Sequence, residues 1–370
     1  MEALILSCGT GGGHNAAAAA IANELRSRGH QVEILDPYAL VGDRLAITIS
    51  NAYIRLVQKL PGAFGCLYFI ANLVRKLPFV SPVYLINRKM SKYMHQFLAK
   101  RHFDVIVMPH LFPAEILTAM KKKGLKLPLT LFIATDYTCI PFTEETACDY
   151  YVIPAKELTE EFCRRGLAEE KLLPLGIPVN ARFSAGDTPV EARRRLGLDG
   201  ETPYLLISGG SIGAGKLRKT VRWLYEAADK KQRLIVICGN NEKLYHQLQN
   251  EYSGDARVQI LSRTDQMDDY IKGCAAFFSK PGGLSSTEAA VAGALLVHIS
   301  PIPGCETRNV DFFSEQGISI DAGKDKKQLL SALNRLNDPQ EAQKMRAAQR
   351  KYINRFAARD ICNFIENHIS

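Results

Sequence analysis

"LILSCGTGGGHNAAAAAIANEL", residues 4–25, decides the fold. A short apolar run feeds a glycine-rich turn, and the turn feeds an alanine-rich helix. That is how a Rossmann-type unit opens. Gly9 and Gly11 fill the first two glycine places of a dinucleotide fingerprint, but the third holds His14. Asp36, ending the next apolar run, is a candidate for the acid that takes a ribose diol. The histidine changes the chemistry, because an imidazole stands where pyrophosphate would lie. A helix N-terminus carries partial positive charge and disfavours a second cation, so the ring there stays neutral. A neutral imidazole near pH 7 is a competent general base. The plainer role is a helix cap.

Working outward, β-like runs alternate with helical patterns along the whole chain, which predicts a doubly wound α/β architecture. In the first half the runs fall at 3–7, 31–35, 104–108, 129–134 and 150–154. The periodicity then lapses over "LPLGIPVNARFSAGDTP" (173–189) and restarts at 204–208, 233–239, 257–261, 275–280 and 294–300. Each half begins with a strand and a glycine loop, and 370 residues suffice for two separate cores. Two Rossmann-like domains joined near 178–202 are expected, with helices of 341–370 packing near the domain interface.

The net charge of +9 is local. Ten Lys and Arg, and no Asp or Glu, lie between Arg44 and Arg101, leaving the remaining chain near neutral. Aromatic and aliphatic residues interleave with those cations, as on a surface that lies in an anionic membrane interface. Phe64, Leu67, Phe69 and Phe79 are the candidates for insertion, and Arg55, Lys59, Arg75 and Lys76 for the lipid-facing cations. The plainer alternative is helices with solvated basic faces. Nucleic acid is disfavoured, since no recognition module or basic tail is present. No uncharged apolar stretch reaches the ~20 residues of a spanning helix, and the first apolar run lacks the basic flank of a signal peptide. The nine cysteines form no C-x-x-C pair, which suits reduced thiols in a cytoplasmic protein.

Two further glycine loops follow. In "SGGSIGAGKL" (208–217), Gly210, Gly215 and Lys216 have the spacing of an NTPase phosphate loop. Leu217, however, replaces the hydroxyl that would hold Mg²⁺, and "RLIVICGNN" ends without a metal-anchoring Asp. What survives is a set of backbone amides at a helix start, suited to a diphosphate without a metal. In "FFSKPGGLSSTEAAVAGA" (277–294) a helix is expected from about Ser285, with Glu288 three residues on as in a capping box. The functional alternative for Glu288 is to accept hydrogen bonds from a ribose. Downstream, "PIPGCETRNVDFF" (301–313) presents Glu306 and Asn309 after another strand, where a ligand crevice belongs.

"GTGGGHNAAA", "PHLFPAEIL", "TDYT", "LGIPVNARF", "SGGSIGAG", "CGNN", "TDQMDDYI", "KPGGLSSTEA" and "PGCETRN", in this order and spacing over residues 3–315, resemble one group of proteins. It is the monogalactosyldiacylglycerol synthase and processive diacylglycerol glucosyltransferase group of glycosyltransferase family 28. The resemblance implies a GT-B fold, with domains facing across a cleft and a C-terminal helix crossing back to the N-terminal domain. It implies an acceptor and membrane-contact domain at 1–178 and a UDP-sugar domain at 203–340. His14 is then the catalytic base, with Gly12, Gly13 and Asp136 on the acceptor side. Gly210, Ser211, Gly213, Asn240, Lys280, Gly282, Gly283, Glu288, Glu306 and Asn309 make the donor side. The activity implied is inverting transfer of a hexose from a UDP-sugar to a diacylglycerol-type lipid at the cytoplasmic membrane face, with no metal or other cofactor. Cys305 departs from the Gln common in the group, and the stretch after Asp136 lacks the group's His and Trp. These departures bear on the donor sugar and on the acceptor lipid. Other readings are a lipid-linked peptidoglycan N-acetylglucosaminyltransferase type, a UDP-sugar 2-epimerase and a non-catalytic UDP-sugar sensor.

Overall fold

The computed structural model describes all residues except 10, 11, 43, 45, 49–50, 52–60, 76–79, 212, 214 and 370, and for 61–64 the backbone only. The chain forms two units. The first comprises Met1–Asn180, Pro303–Cys305 and Phe356–Ser370, and the second Ala181–Ile302 and Glu306–Arg355.

In the first unit, six parallel strands lie in the order β2-β1-β3-β4-β5-β6. They are β1 (Glu2–Leu6), β2 (Gln31–Leu35), β3 (Val105–Met108), β4 (Leu129–Ile133), β5 (Tyr150–Val152) and β6 (Leu172–Leu173). Both faces of a parallel sheet are covered, so its central strands read as unbroken apolar runs; all four residues of β3 are buried. Helix α1 (Gly12–Ser27) lays Ala18, Ile21, Ala22 and Leu25 on Ile5 and Val107 of that sheet. The register pairs Ile5 with Val107. Helices α2 (Pro61–Val74) and α3 (Leu111–Lys121) also belong to this unit.

The second unit repeats the plan in the order β12-β11-β10-β7-β8-β9. Its strands are β7 (Tyr204–Ser208), β8 (Arg233–Ile237), β9 (Val258–Leu261), β10 (Ala276–Ser279), β11 (Leu296–His298) and β12 (Ile320–Asp321). The helices that matter here are α4 (Leu217–Ala227), α5 (Glu242–Glu251), α6 (Met267–Gly273), α7 (Gly283–Val291), α8 (Cys305–Glu315) and α9 (Pro339–Tyr352).

All ten strands anticipated from the sequence are present, and two more, β6 and β12, are two-residue edges too short to carry a pattern. The division of the chain differs from expectation in two places. Residues 181–202, anticipated as linker, belong to the second unit and contain the helices Ala181–Ser184 and Pro189–Arg195. Residues 341–370 are not one group: α9 stays in the second unit, whereas α10 (Ala357–Ile369) belongs to the first, the return of the C-terminal helix that the resemblance implied. The reason is burial. Ile361, Cys362 and Ile365 of α10 are fully enclosed in the same core as α1, and each aliphatic side chain so buried stabilises by about 1.5–3 kcal/mol.

In each sheet the strand order reverses once, between β1 and β3 and between β7 and β10. Loops leaving neighbouring strands there turn to opposite faces and open a crevice at the strands' C-terminal ends. The three glycine loops occupy these two points.

Candidate active site

At the first reversal, α1 begins at Gly12, so Gly12 and Gly13 form its opening turn and His14 projects from it. His14 Nδ1 lies 2.7 Å from the Pro109 carbonyl oxygen, at the C-terminal end of β3. A carbonyl only accepts, so Nδ1 carries the proton and donates it, and Nε2 keeps its lone pair. Thr135 Oγ1, 3.0 Å away, shares that Nδ1. Such hydrogen bonds fix the tautomer of an imidazole. Burial lowers the His14 pKa, while the nearby Asp136 carboxylate and the Pro109 hydrogen bond pull it back upward, the net being a decrease. The ring is therefore neutral at pH 7. The pocket around it is lined by His14, His110, Thr135, Asp136, Thr138 and Ile140, among others.

His110 had no assigned role in the sequence. Its ring meets that of His14 edge-on with centroids 4.5 Å apart. Its Nδ1 accepts the Phe112 amide at 3.1 Å, capping α3. Burial, reinforced by His14, pushes its pKa well below the usual value. Two imidazoles in contact cannot both be charged in so enclosed a place. A Pro-His pair ending the strand beside β1 was the signal that could have placed it. Asp36 does not face a ribose: its carboxylate accepts the amides of Tyr38 (3.0 Å) and Gly9 (3.3 Å), pinning the glycine loop.

At the second reversal the loop after β7 folds onto the loop after β8. Asn240 donates its amide to Ser211 O at 2.9 Å. Asn241, which the sequence left unassigned, donates Nδ2 to Gly213 O at 2.8 Å and accepts the Leu244 amide to cap α5. Gly213 has φ of 62°, and a Cβ there would stand 2.0 Å from Cys238 O. Only glycine fits. At Gly210, with φ of 70°, an added Cβ would stand 3.7 Å from Lys280 Cε.

The loop after β10 differs from expectation at its helix. Helix α7 starts at Gly283, two residues earlier than anticipated, with Gly282 as its cap and no side chain on its first amides. There is no capping box. Ser285 Oγ donates to Gly282 O at 3.2 Å, and Glu288 sits in the second turn. The Glu288 side chain keeps some exposure, yet its carboxyl is walled in by protein: burial, with Asp268 of α6 adding repulsion, pushes it up to about 8. Glu306 and Asn309 stand on α8 rather than in an open loop. Glu306 is paired with Lys280 and accepts the Ile302 amide at 2.9 Å. Asn309, fully buried, donates to Pro281 O at 2.9 Å. Both brace the Lys280–Gly283 turn. His298 is a neutral core histidine, held by Ser286 at 2.9 Å and Ser319 at 3.1 Å.

The cationic stretch is only partly as anticipated. Arg75 is enclosed in an ion pair with Glu144, its side chain 4% exposed, so it is no lipid-facing cation. Arg101 pairs with Glu33. Arg55, Lys59, Lys76 and Phe79 lie outside the described residues, as does the Phe64 side chain. Leu67, Phe69, Ile70 and Leu73 of α2, with Leu85 and Ile86, are exposed. Arg88, Lys89 and Lys92 are exposed beside the latter two. Among the described residues no helix is long and apolar enough to cross a membrane, and every cysteine is a free thiol.

Comparison with known proteins agrees with this architecture. The monogalactosyldiacylglycerol (MGDG) synthase family model matches residues 14–179, and the glycosyltransferase family 28 C-terminal domain model matches residues 204–362. The chain is 24% identical over 348 residues to a processive diacylglycerol beta-glucosyltransferase of Bacillus pumilus (strain SAFR-032), covering 93% of this chain and 88% of that one. It is 28% identical over 332 residues to monogalactosyldiacylglycerol synthase 1, chloroplastic, of Arabidopsis thaliana, covering 85% of this chain and 61% of that longer one. In fold it is similar to MurG of Acinetobacter baumannii, at TM-score 0.65 and 15% identity over 99% of each chain. It is also similar to the UDP-GlcNAc 2-epimerase of Neisseria meningitidis bound to UDP-GlcNAc, at TM-score 0.64 and 13% identity over 99% of this chain and 100% of that one. With two Rossmann-like units in a GT-B fold and family models that together match most of its length, the chain belongs to glycosyltransferase family 28, in its monogalactosyldiacylglycerol synthase group.

Proposed function

We propose that this protein transfers a hexose, with inversion, from a UDP-sugar to the hydroxyl of a diacylglycerol-type lipid at the cytoplasmic membrane face. The orientation of His14 carries the assignment. Its Nδ1–H is committed to Pro109 O, its Nε2 is a neutral acceptor, and its pocket is walled by Thr135, Asp136, Thr138 and Ile140. Nε2 takes the proton of the acceptor hydroxyl as that oxygen attacks the anomeric carbon. The bond from that carbon to the UDP oxygen breaks, and UDP leaves with the electron pair. The Asp136 carboxylate then stabilises the imidazolium that has formed.

The donor belongs to the second unit. The first amides of α7, uncapped by any side chain, offer hydrogen-bond donors to a diphosphate, a preorganised arrangement for the charge that develops on the leaving group. Lys280, held in place by Glu306, adds a cation, so no metal is required. Glu288 takes the ribose diol. The exposed apolar residues of α2, with Leu85 and Ile86 beside Arg88, Lys89 and Lys92, hold the protein to an anionic bilayer.

Incubation with radiolabelled UDP-glucose, UDP-galactose or UDP-N-acetylglucosamine and mixed diacylglycerol vesicles, followed by lipid separation, tests the reading. A labelled glycolipid of inverted configuration is expected. Label that leaves the donor as an epimerised sugar, or no lipid product with any donor, refutes it.

A further inference from the structure

Two neighbouring carboxylates that the reaction leaves unused tie helix α2 to the wall of the His14 pocket. The chain after β4 supplies Asp136, Thr138, Ile140 and Thr143 to that wall. It then passes through Phe142, in the left-handed region at φ 74°, into the tight turn Thr143–Glu145. Glu144 accepts Arg75 Nε at 2.7 Å and faces its Nη2 at 2.6 Å. Glu145 accepts the Ser81 amide with both oxygens, at 3.0 and 3.2 Å. Ser81 in turn caps the short helix Pro82–Asn87. Residues 75 and 81 are thus pinned by consecutive side chains of one turn, and that turn ends the pocket wall.

Arg75 extends α2, its amide bonded to Ala71 O at 3.0 Å. One turn earlier the two faces of α2 diverge. Leu67, Phe69, Ile70 and Leu73 are open to solvent. Tyr68 is turned inward, where burial raises its pKa and the carboxylates of Asp136 and Glu161 add to the effect. The helix therefore has an apolar outer face and an inner face packed closely on residues 303–304: a Cβ at Gly65 would stand 2.7 Å from Pro303 Cβ, and one at Gly304 would stand 3.1 Å from the Tyr68 ring. A buried guanidinium–carboxylate ion pair with one directed Nε–H bond is a contact suited to fixing the end of such an element. Buried ion pairs add little net stability against apolar replacements but can fix register.

We propose that Glu144, acting through Arg75, is an acceptor-positioning residue: it sets where α2 lies over the His14 pocket and so where the lipid hydroxyl is presented. The proposal rests on the reading that the acceptor is a membrane lipid. Glu145 does the same for the far end of the segment through Ser81.

The full chain carries the test, in two variants. Arg75→Met with Glu144→Leu removes the ion pair without stranding a charge, and Arg75→Lys keeps the charge but loses the Nε–H bond. Thermal unfolding first establishes that both variants fold. Lipid KM should rise roughly tenfold or more in the double variant, the scale of a small misplacement, with Arg75→Lys in between, while UDP affinity stays unchanged and kcat stays within about threefold. Amide exchange should quicken in residues 65–74 and not in 111–121. Unchanged KM and unchanged exchange would overturn the proposal, as would a loss confined to kcat. If the wild-type chain glycosylates no lipid, the acceptor reading fails and the positioning role falls with it. If the wild type is active and only the variants behave normally, the clamp alone is wrong.

Discussion

Glu115 offers the sharpest physical test of the first unit. It lies on α3 with no exposed surface. Oε2 accepts Asn87 Nδ2, which links it to the Tyr38 hydroxyl, and Oε1 has no hydrogen-bond partner among the described residues. One hydrogen bond does not offset the loss of water around an anion. Burial raises the carboxyl to about 8, with Asn87 lowering it and Glu145 raising it further. The folded chain thus holds a proton there at pH 7 that an unfolded chain, with an ordinary glutamate pKa near 4.3, has released. The sign follows. This group's stabilising contribution is complete below about pH 4.3 and is lost as the pH rises toward 8, at about 1.4 kcal/mol per pH unit. Glu115→Gln keeps an oxygen for Asn87 and cannot ionise. Between pH 5.5 and 7.5 wild type should therefore lose about 3 kcal/mol relative to the variant. The assay is urea unfolding of both chains at the two pH values, alongside the infrared carbonyl band of protonated carboxyls, which should be weaker in the variant by the Glu115 share while Glu288, also raised to about 8, keeps its own. Parallel stability profiles, or equal bands in the two chains at pH 6, would refute the argument.

At pH 8.5, where the carboxyl is ionised, Glu288→Gln should weaken UDP-sugar binding by about tenfold or more, since a charged acceptor in a walled site contributes about 1.5–3 kcal/mol. Because the free carboxyl sits up near 8 and a diol favours the anion, wild-type UDP affinity should also improve as pH rises from 6.5 to 8.5. Calorimetry that shows neither effect removes Glu288 from the ribose site. EDTA should leave transfer intact, and loss restored by Mg²⁺ or Mn²⁺ would contradict a diphosphate held by amides and Lys280 alone. Replacing Arg88, Lys89 and Lys92 together by Gln should cut sedimentation with anionic vesicles, at about 1 kcal/mol for each cation that reaches the surface. The apolar contribution of α2 should persist at high salt, and equal binding to neutral vesicles would mean these charges only solvate a helix face.

The backbone plan was legible because parallel strands buried on both faces leave unbroken apolar runs, and because glycine loops punctuate them. The placement of His14 followed from the same loop. Side-chain partnerships were less legible. Glu288 has capping-box spacing from Ser285, but the helix starts at Gly283, and spacing alone does not reveal a helix's first residue. Arg75 sits in a run of cations, yet its partner is 69 residues away on a turn with no strong pattern. Glu306 and Asn309 have the composition of ligand contacts and serve as braces for Lys280 and Pro281. His110 and Asn241 went unassigned because their contacts depend on which strands and loops are neighbours, and strand order is not written in periodicity. The return of the C-terminal helix to the first unit followed from the resemblance alone, since its packing on α1 depends on a core that no local window contains.

The central claim is that His14 Nε2 takes the acceptor proton. The direct measurement is the single-turnover rate of lipid glycosylation by wild type and His14→Ala with saturating UDP-hexose, with UDP affinity measured in parallel. The account predicts a loss of about 10²-fold or more in the rate with UDP affinity unchanged. It also predicts a wild-type rate that falls only below the usual histidine range, because burial lowers the His14 pKa. A variant that turns over like wild type would contradict the account and leave His14 as a cap on the first turn of α1.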